Sequence, residues 1–90
     1  MKLPPLADEV EVADFETELV VVVPSRRRAY HLDERWALLV DSCRRGDDVG
    51  DLVEEVVSVG GDPDQARRWF IAALEVLRDH GVLSVATGPV

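Results

Sequence analysis

The sequence predicts an α+β fold in which a three-stranded antiparallel sheet precedes three helices. An uninterrupted apolar run at residues 19–23 lies between two shorter segments that alternate apolar and polar residues, as half-buried strands do. After residue 33, three segments carry apolar side chains at helical spacing, and glycines separate them. A chain of 90 residues has the length of one domain.

The first two strands are predicted from their hydrophobic patterns. Residues 10–15 alternate apolar and polar side chains, and residues 16–18 form the turn that follows. Residues 19–23 are apolar on both faces and β-branched after Leu19, which is typical of a central strand. Pro24 ends this strand because proline cannot donate a backbone hydrogen bond.

The third strand, residues 28–32, is predicted to lie at the edge of the sheet. Tyr30 and Leu32 share one face of this strand, and Ala29 and His31 share the other. Because residues 19–23 take the central position, one side of the third strand has no neighbour. Its unpaired N–H and C=O groups are therefore a template for a strand from another chain.

The first two helices are predicted from their caps and apolar stripes. Asp33 caps the first helix, and Gly46 ends it. Asp48, followed by Asp51, begins the second helix. The apolar stripes of the two helices are Trp36, Leu39, Val40 and Cys43, and Val49, Leu52, Val53 and Val56.

The third helix has the clearest start signal in the chain. Asp62 is its cap, Pro63 takes the first helical position, and Gln65 stands where a capping box requires it. Gly81 ends the helix. Its predicted inner face carries Ala66, Phe70, Ala73, Leu74 and Leu77.

Composition excludes several classes of protein. The formal net charge of −8 disfavours nucleic acid, whose affinity depends on clustered cations that neutralise phosphates. The longest apolar runs fall far short of a membrane span, and we expect no secretory signal. Cys43 is the only cysteine, which suits a reducing compartment, so we expect a cytoplasmic protein in which Cys43 is a small buried side chain.

The residues that usually perform catalysis are not grouped in this sequence. His31 and His80 have no partner at metal-ligand spacing, and Gly60-Gly61 lacks the context of a phosphate-binding loop. Neighbouring carboxylates such as Glu54 and Glu55 are typical of a solvated helix surface. We therefore expect no enzymatic activity, no metal and no cofactor.

The remaining candidates are binding features, each with a structural alternative. Arg26, Arg27 and Arg28 either attract acidic side chains or form a solvated turn that protects an edge strand. Trp69 either walls a groove or packs against another helix. A mixed apolar and basic face of the third helix, beside an open strand edge, favours a peptide site; it carries Arg67, Ile71, Leu74 and Arg78.

The order of these elements resembles the PqqD family and the wider set of peptide-recognition domains called RiPP recognition elements. The resemblance covers residues 10–83, with residues 1–9 as an extended lead-in and residues 84–90 as a tail. It is carried by the order of Arg28-Ala29-Tyr30-His31-Leu32-Asp33, Gly46, Asp62-Pro63 and Leu77-Arg78-Asp79-His80-Gly81-Val82-Leu83.

The resemblance implies a winged helix-turn-helix that binds the leader segment of a ribosomally made precursor peptide. The leader adds as a fourth strand to the third strand and lies against the third helix, and the core peptide is presented to a modifying enzyme or leader peptidase. The residues expected to contact the leader are Arg27, Arg28, Ala29, Tyr30, His31, Leu32, Arg67, Phe70, Ile71, Leu74 and Arg78.

The chain departs from the family pattern at two places. Ser25-Arg26-Arg27 stands where the family often has a Gly-Arg turn, and Asp33-Glu34-Arg35-Trp36 replaces an Asn-x-x-Gly/Ala motif. Lasso peptides, cyclic peptides and cofactor precursors such as that of pyrroloquinoline quinone all remain possible products. The alternative function is a winged-helix transcription regulator that places Arg67 and Arg68 at DNA, and a small enzyme is a third hypothesis.

Overall fold

The sheet has three antiparallel strands in the order β1-β2-β3, as the sequence predicts. The computed structural model describes residues 2–16 and 18–84. Strand β1 is Glu11–Asp14, β2 is Leu19–Val23 and β3 is Arg28–Leu32. The edge position predicted for β3 is confirmed, because among the described strands it pairs with β2 alone.

The register of the sheet directs alternate side chains of β2 into the core. Leu19, Val21 and Val23 are buried, whereas Val20 and Val22 on the opposite face are half-buried. Val21 pairs with Val12 of β1 and with Tyr30 of β3, so these three residues form a row on the core side. A shift of one residue would expose the buried valines, so the buried face fixes the register.

Strands β2 and β3 are joined by a single 3₁₀ turn, Pro24–Arg26, rather than by a two-residue hairpin. Pro24 begins the turn, where its fixed φ angle fits and its missing N–H costs nothing. Arg27 then adopts the left-handed conformation at φ 51° and ψ 43°, and its N–H donates to the Pro24 carbonyl. A non-glycine residue in this conformation carries strain of about 1 kcal/mol or more.

We expect Arg27→Gly to raise the free energy of unfolding by about 0.5 kcal/mol, because relief of the left-handed strain exceeds the entropy cost of glycine. Urea denaturation followed by circular dichroism measures the change. Arg28→Gly is the control, since Arg28 is extended in β3 and glycine should weaken a strand there. Equal destabilisation by both substitutions would show that the turn stores no strain.

The three predicted helices are present, each capped by the predicted aspartate. Helix α1 is Glu34–Arg45, α2 is Val49–Ser58 and α3 is Pro63–Asp79. The carboxylates of Asp33, Asp48 and Asp62 each accept hydrogen bonds from backbone N–H groups of the first helical turn. The capping box of α2 is complete, because the Asp51 side chain accepts from the Asp48 N–H at 3.0 Å. In α3 the Asp62 carboxylate accepts from the Gln65 N–H at 2.9 Å, which is one half of the capping box that the sequence predicts.

The core lies between the inner face of the sheet and the three helices. It is built from Leu19, Val21, Val23 and Leu32 of the sheet together with the predicted helix stripes. Its buried members on the helices are Leu39, Val40, Cys43, Val49, Leu52, Val53, Ala66, Phe70, Ala73, Leu74 and Leu77. The burial predicted for Cys43 is confirmed at 2% exposure.

The N-terminal segment is extended, as expected, and it also contributes to the core. Leu3 is buried at 3% exposure, and its N–H donates to the Asp47 carbonyl at 3.0 Å. Leu6 forms an isolated bridge with Leu83, whose side chain is also buried. The segment therefore closes the side of the core formed by the chain after α3.

The predicted tail, residues 84–90, lies outside the described residues except for Ser84, whose N–H donates to the Pro5 carbonyl. Within residues 2–16 and 18–84, no helix has both the length and the apolar character needed to span a bilayer.

Candidate functional site

A groove of about 320 Å³ runs between β3 and the C-terminal half of α3. Its β3 wall is formed by Ala29, Tyr30, His31 and Leu32, which are consecutive residues of the open edge strand. The remaining lining residues are Val21, Trp36, Val76, Leu77, His80 and Val82. The groove therefore combines free backbone groups at a strand edge with a mainly apolar floor.

The last turns of α3 and its C-cap residue contribute Val76, Leu77 and His80 to the groove. Val76 and His80 lie four positions apart and so share one face of the helix. Val76 is 44% exposed, which is high for a valine beside a core, while Leu77 is buried beneath it. The exposed Val76 side chain is therefore available to a ligand in the groove.

Tyr30 and His80 meet across the groove. Their rings make an edge contact with centroids 5.1 Å apart and planes at 80°. The His80 Nδ1 lies 2.8 Å from the Val76 carbonyl oxygen, so in the tautomer that carries its proton there it donates back to the helix. In that tautomer the hydrogen bond holds the His80 ring beside Tyr30.

A second hollow, of about 380 Å³, lies between α1, the end of α2 and the N-terminal half of α3. Trp36 lines the first groove and Trp69 lines the second, and their rings touch edge-on with centroids 5.2 Å apart. The Arg35 guanidinium lies over the Trp69 ring at 5.1 Å. The tryptophan pair thus divides one long depression into two compartments.

The charged side chains lie at the ends of this depression. Arg27 and Arg28 are exposed where β3 begins, and Arg35 lies over the second compartment. At the other end of β3, His31 Nδ1 lies 3.5 Å from a Glu18 carboxylate oxygen. Arg27, Arg28 and Arg35 are thus cations beside the depression on an acidic protein, while Asp62 also lines its second compartment.

The structure brings together some of the residues predicted to form the site. Ala29, Tyr30, His31 and Leu32 line the groove, with Arg27 and Arg28 at its end. Arg67, Ile71 and Arg78 are exposed on α3 but do not line the groove.

The structure places Phe70 and Leu74 in the core rather than on a binding surface. They are 2% and 3% exposed, so little of either side chain is available to a peptide. Phe70 supports the second compartment from below, because its ring lies edge-on against Trp69 with centroids 5.4 Å apart. On the side of the groove at the end of α3, the partly or fully exposed residues are Val76 and His80.

The sequence contains a signal that could have located these residues. Trp69, Val76 and His80 follow at spacings of seven and four, so they lie on one face of α3. The apolar residues of α3 cover two neighbouring faces, and periodicity does not tell which of them meets β3. The sequence places Trp36 in the apolar stripe of α1. In the structure Trp36 is only partly buried, and its side chain also lines the groove.

Cys43 takes no part in the groove. Burial disfavours the charged thiolate and raises the pKa of the Cys43 thiol to about 11. The pKa of this thiol is about 11 in the folded protein, against a reference value of 9.0 for the unfolded chain. The unfolded chain therefore ionises first, and the free energy of unfolding falls only as pH rises from about 9 towards 11. At neutral pH the side chain is a neutral core group.

We therefore expect iodoacetamide to label Cys43 very slowly in the folded protein at about pH 8, since the thiolate is the reactive species. Mass spectrometry of quenched samples measures the rate. Labelling in concentrated urea at the same pH is the control and should proceed at the rate of a free thiol. Fast labelling without urea would show that the side chain is accessible.

No protein-family model matches the chain, and no curated protein matches it either. Two solved structures share its fold over nearly its full length. TbiB1 in complex with the TbiA(beta) leader peptide is 16% identical with a TM-score of 0.83, covering 93% of this chain and 99% of that one. A lasso peptide synthetase B1 complexed with the leader peptide is 21% identical with a TM-score of 0.80, covering 89% and 95%. At these identities the likeness establishes the fold, and it confirms the fold class predicted from the sequence.

Proposed function

We propose that this protein is a non-catalytic peptide-binding domain of the RiPP recognition element type. It binds the leader segment of a ribosomally made precursor and presents the core peptide to a modifying enzyme or leader peptidase. Since both solved structures of this fold hold a leader peptide and one is a lasso peptide synthetase component, the leader of a lasso-peptide precursor is the first candidate ligand.

The observation that carries this proposal is an open edge strand beside an apolar groove. An added strand forms main-chain hydrogen bonds with β3, whose outer side has no partner among the described residues. Alternate side chains of that strand point into the groove towards Tyr30, Val76 and Leu77. Backbone pairing thus supplies affinity, and the groove supplies selectivity for apolar side chains.

The local cations select leaders with acidic residues. Arg27 and Arg28 stand at one end of the edge strand, and Arg35 stands over the second compartment. On a protein of net charge −8, these cations attract carboxylates locally and speed the encounter. We propose a weaker role of the same kind for Arg67 and Arg78, which are exposed on α3 outside the groove.

The test is an NMR titration of the labelled domain with the synthetic leader of the precursor encoded beside its gene. Saturable amide shifts along Arg28–Leu32 and around Val76 and His80 are the expected result. A Kd in the micromolar range or below corresponds to about −8 kcal/mol. The same peptide with proline at alternate positions is the control, because proline removes the donors that strand addition requires.

Two outcomes would contradict the proposal. Saturable shifts confined to a surface away from β3 and α3 would place the peptide elsewhere. An on-rate unchanged between low and high salt, measured by stopped flow, would remove the role assigned to Arg27 and Arg28, since attraction between exposed charges is screened by salt.

The alternative of a winged-helix DNA-binding regulator is not supported. Its proposed contacts, Arg67 and Arg68, are exposed on α3, but the acidic chain as a whole repels phosphate. The two solved structures described above are both complexes with leader peptides.

A further inference from the structure

The Arg26 side chain links the β2–β3 turn to the C-terminal end of α3. Its Nη1 donates a hydrogen bond to the Asp79 carbonyl at 2.5 Å, across 53 residues of sequence. This carbonyl belongs to the last turn of α3, where the partial negative charge of the helix favours a cation. The sequence predicts that Arg26 belongs either to a solvated turn or to a cluster of arginines that attracts acidic side chains. Neither prediction includes this contact.

Gly81 provides the space in which the Arg26 side chain lies. A Cβ atom at Gly81 would come 2.7 Å from Arg26 Nε and 3.2 Å from Cζ. Gly81 also has φ +79°, a conformation that glycine adopts without strain. The Arg26 side chain therefore lies against the backbone at Gly81, where the chain leaves α3.

The turn that carries Arg26 is held from its other side by Glu9. The Glu9 carboxylate accepts a hydrogen bond from the Ser25 N–H at 2.7 Å, and this bond, with a smaller contribution from Arg26, lowers the pKa of Glu9. The turn is thus fixed to the N-terminal segment and, through Arg26, to α3. Its position relative to the helix is set by side chains and does not depend on the sheet alone.

We propose that Arg26 is a positioning residue that fixes the width of the groove between β3 and α3, and thereby the side chains of the peptide that it accepts. The contact lies where β3 begins and α3 ends, close in sequence to the groove-lining residues Ala29 and His80. Tyr30 on β3 and His80, the C-cap residue of α3, line the groove with their rings in contact, and they are the residues whose separation Arg26 controls. This inference rests on the proposed peptide binding, but its first readout does not require a peptide.

The first readout is the ring contact of Tyr30 and His80 in the peptide-free protein. We expect Arg26→Ala to move the His80 ring proton shifts towards free-imidazole values, because the Tyr30 ring current weakens as the groove widens. Arg44→Ala is the matched control, since Arg44 makes its ion pairs with Asp41 and Asp14 at the other end of the sheet. Unchanged His80 shifts in folded Arg26→Ala would overturn the inference whether or not the protein binds a leader.

The second readout is the Kd of the synthetic leader described above, measured by isothermal titration calorimetry. We expect Arg26→Ala to weaken binding about tenfold, the scale of one charge-assisted hydrogen bond. Arg26→Ala should also reduce the ratio of Kd values between two leaders, one with a small and one with a large apolar side chain at the position that faces the groove. Arg26→Lys, which keeps a donor, should recover part of both effects.

Gly81→Ala and Gly60→Ala separate the contact from backbone strain. Gly60 has φ +91° with open space around it, so Gly60→Ala imposes the same kind of strain without touching Arg26. We expect Gly81→Ala to weaken leader binding as much as Arg26→Ala does. In a protein that already carries Arg26→Ala, Gly81→Ala should weaken binding no further. Gly60→Ala should leave binding unchanged. Additive losses in the double variant would show that the two residues act separately and would overturn the inference.

Failure of the inference and failure of the proposed function are distinguishable. If the unaltered protein does not bind the leader, the proposed function fails, while the His80 shifts still test Arg26. If the unaltered protein binds and the Arg26 variants bind as tightly and as selectively, the inference fails and the proposed function stands.

Discussion

Val76→Glu is expected to weaken leader binding by about 50-fold, because an unpaired carboxylate in an apolar groove costs about 2–3 kcal/mol when a ligand covers it. Val76 is 44% exposed in the free protein, so the glutamate remains solvated until a peptide binds, and the fold should tolerate it. Calorimetric titration with the synthetic leader measures the change in Kd, and urea denaturation checks the stability of the variant.

Ile71→Glu is the matched control for this substitution. Ile71 lies on the same helix and is 41% exposed, but it does not line the groove. We expect its Kd to change by less than about threefold, as for a charge at the rim of an interface. Equal losses from the two variants would mean that the peptide covers the face of α3 predicted from the sequence, with Ile71, Arg67 and Arg78.

Phe70→Ala is expected to lower the free energy of unfolding by about 3–5 kcal/mol, through lost burial and the cavity left behind. The side chain is 2% exposed and supports the Trp69 ring. A domain of this size has a total stability of only about 5–13 kcal/mol, so this loss is a large fraction of the total. Urea denaturation monitored by tryptophan fluorescence measures the loss.

Val59→Ala is the control for the stability measurement, because Val59 is 84% exposed and its truncation should cost less than about 0.5 kcal/mol. If Phe70→Ala has nearly unchanged stability but no longer binds the leader, Phe70 contacts the peptide directly. The expected result instead assigns Phe70 to the core that holds the groove in place.

Local sequence determined the elements of this fold because each signal acts over a few residues. The β-branched run of β2 and its Pro24 stop define a central strand, and the structure has that strand at Leu19–Val23. Asp33, Asp48 and Asp62 define helix starts because a carboxylate satisfies N–H groups two or three residues away. Strand order followed from the same patterns, since only one strand was apolar on both faces.

The position of the groove on α3 was decided by tertiary structure. Apolar residues occupy two neighbouring faces of α3, and either face could have met β3. With Phe70 and Leu74 packed in the core, Val76 and His80 are the residues at this end of α3 that line the groove beside the edge strand. The rotation of a helix about its axis is limited by its large buried side chains, because these must fit between the side chains of the elements packed against it. That limit is therefore set by residues distant in sequence.

The sequence by itself determined the strands, the helices, their caps and the open edge on which a peptide can add. The tertiary structure alone decided that Leu3 enters the core, that Trp36 meets Trp69, and that Arg26 reaches the Asp79 carbonyl. The physical reason is range: caps, turns and hydrophobic periods are set by neighbours within one or two turns of chain. The groove is set by side chains far apart in sequence that meet only after the sheet and helices have packed.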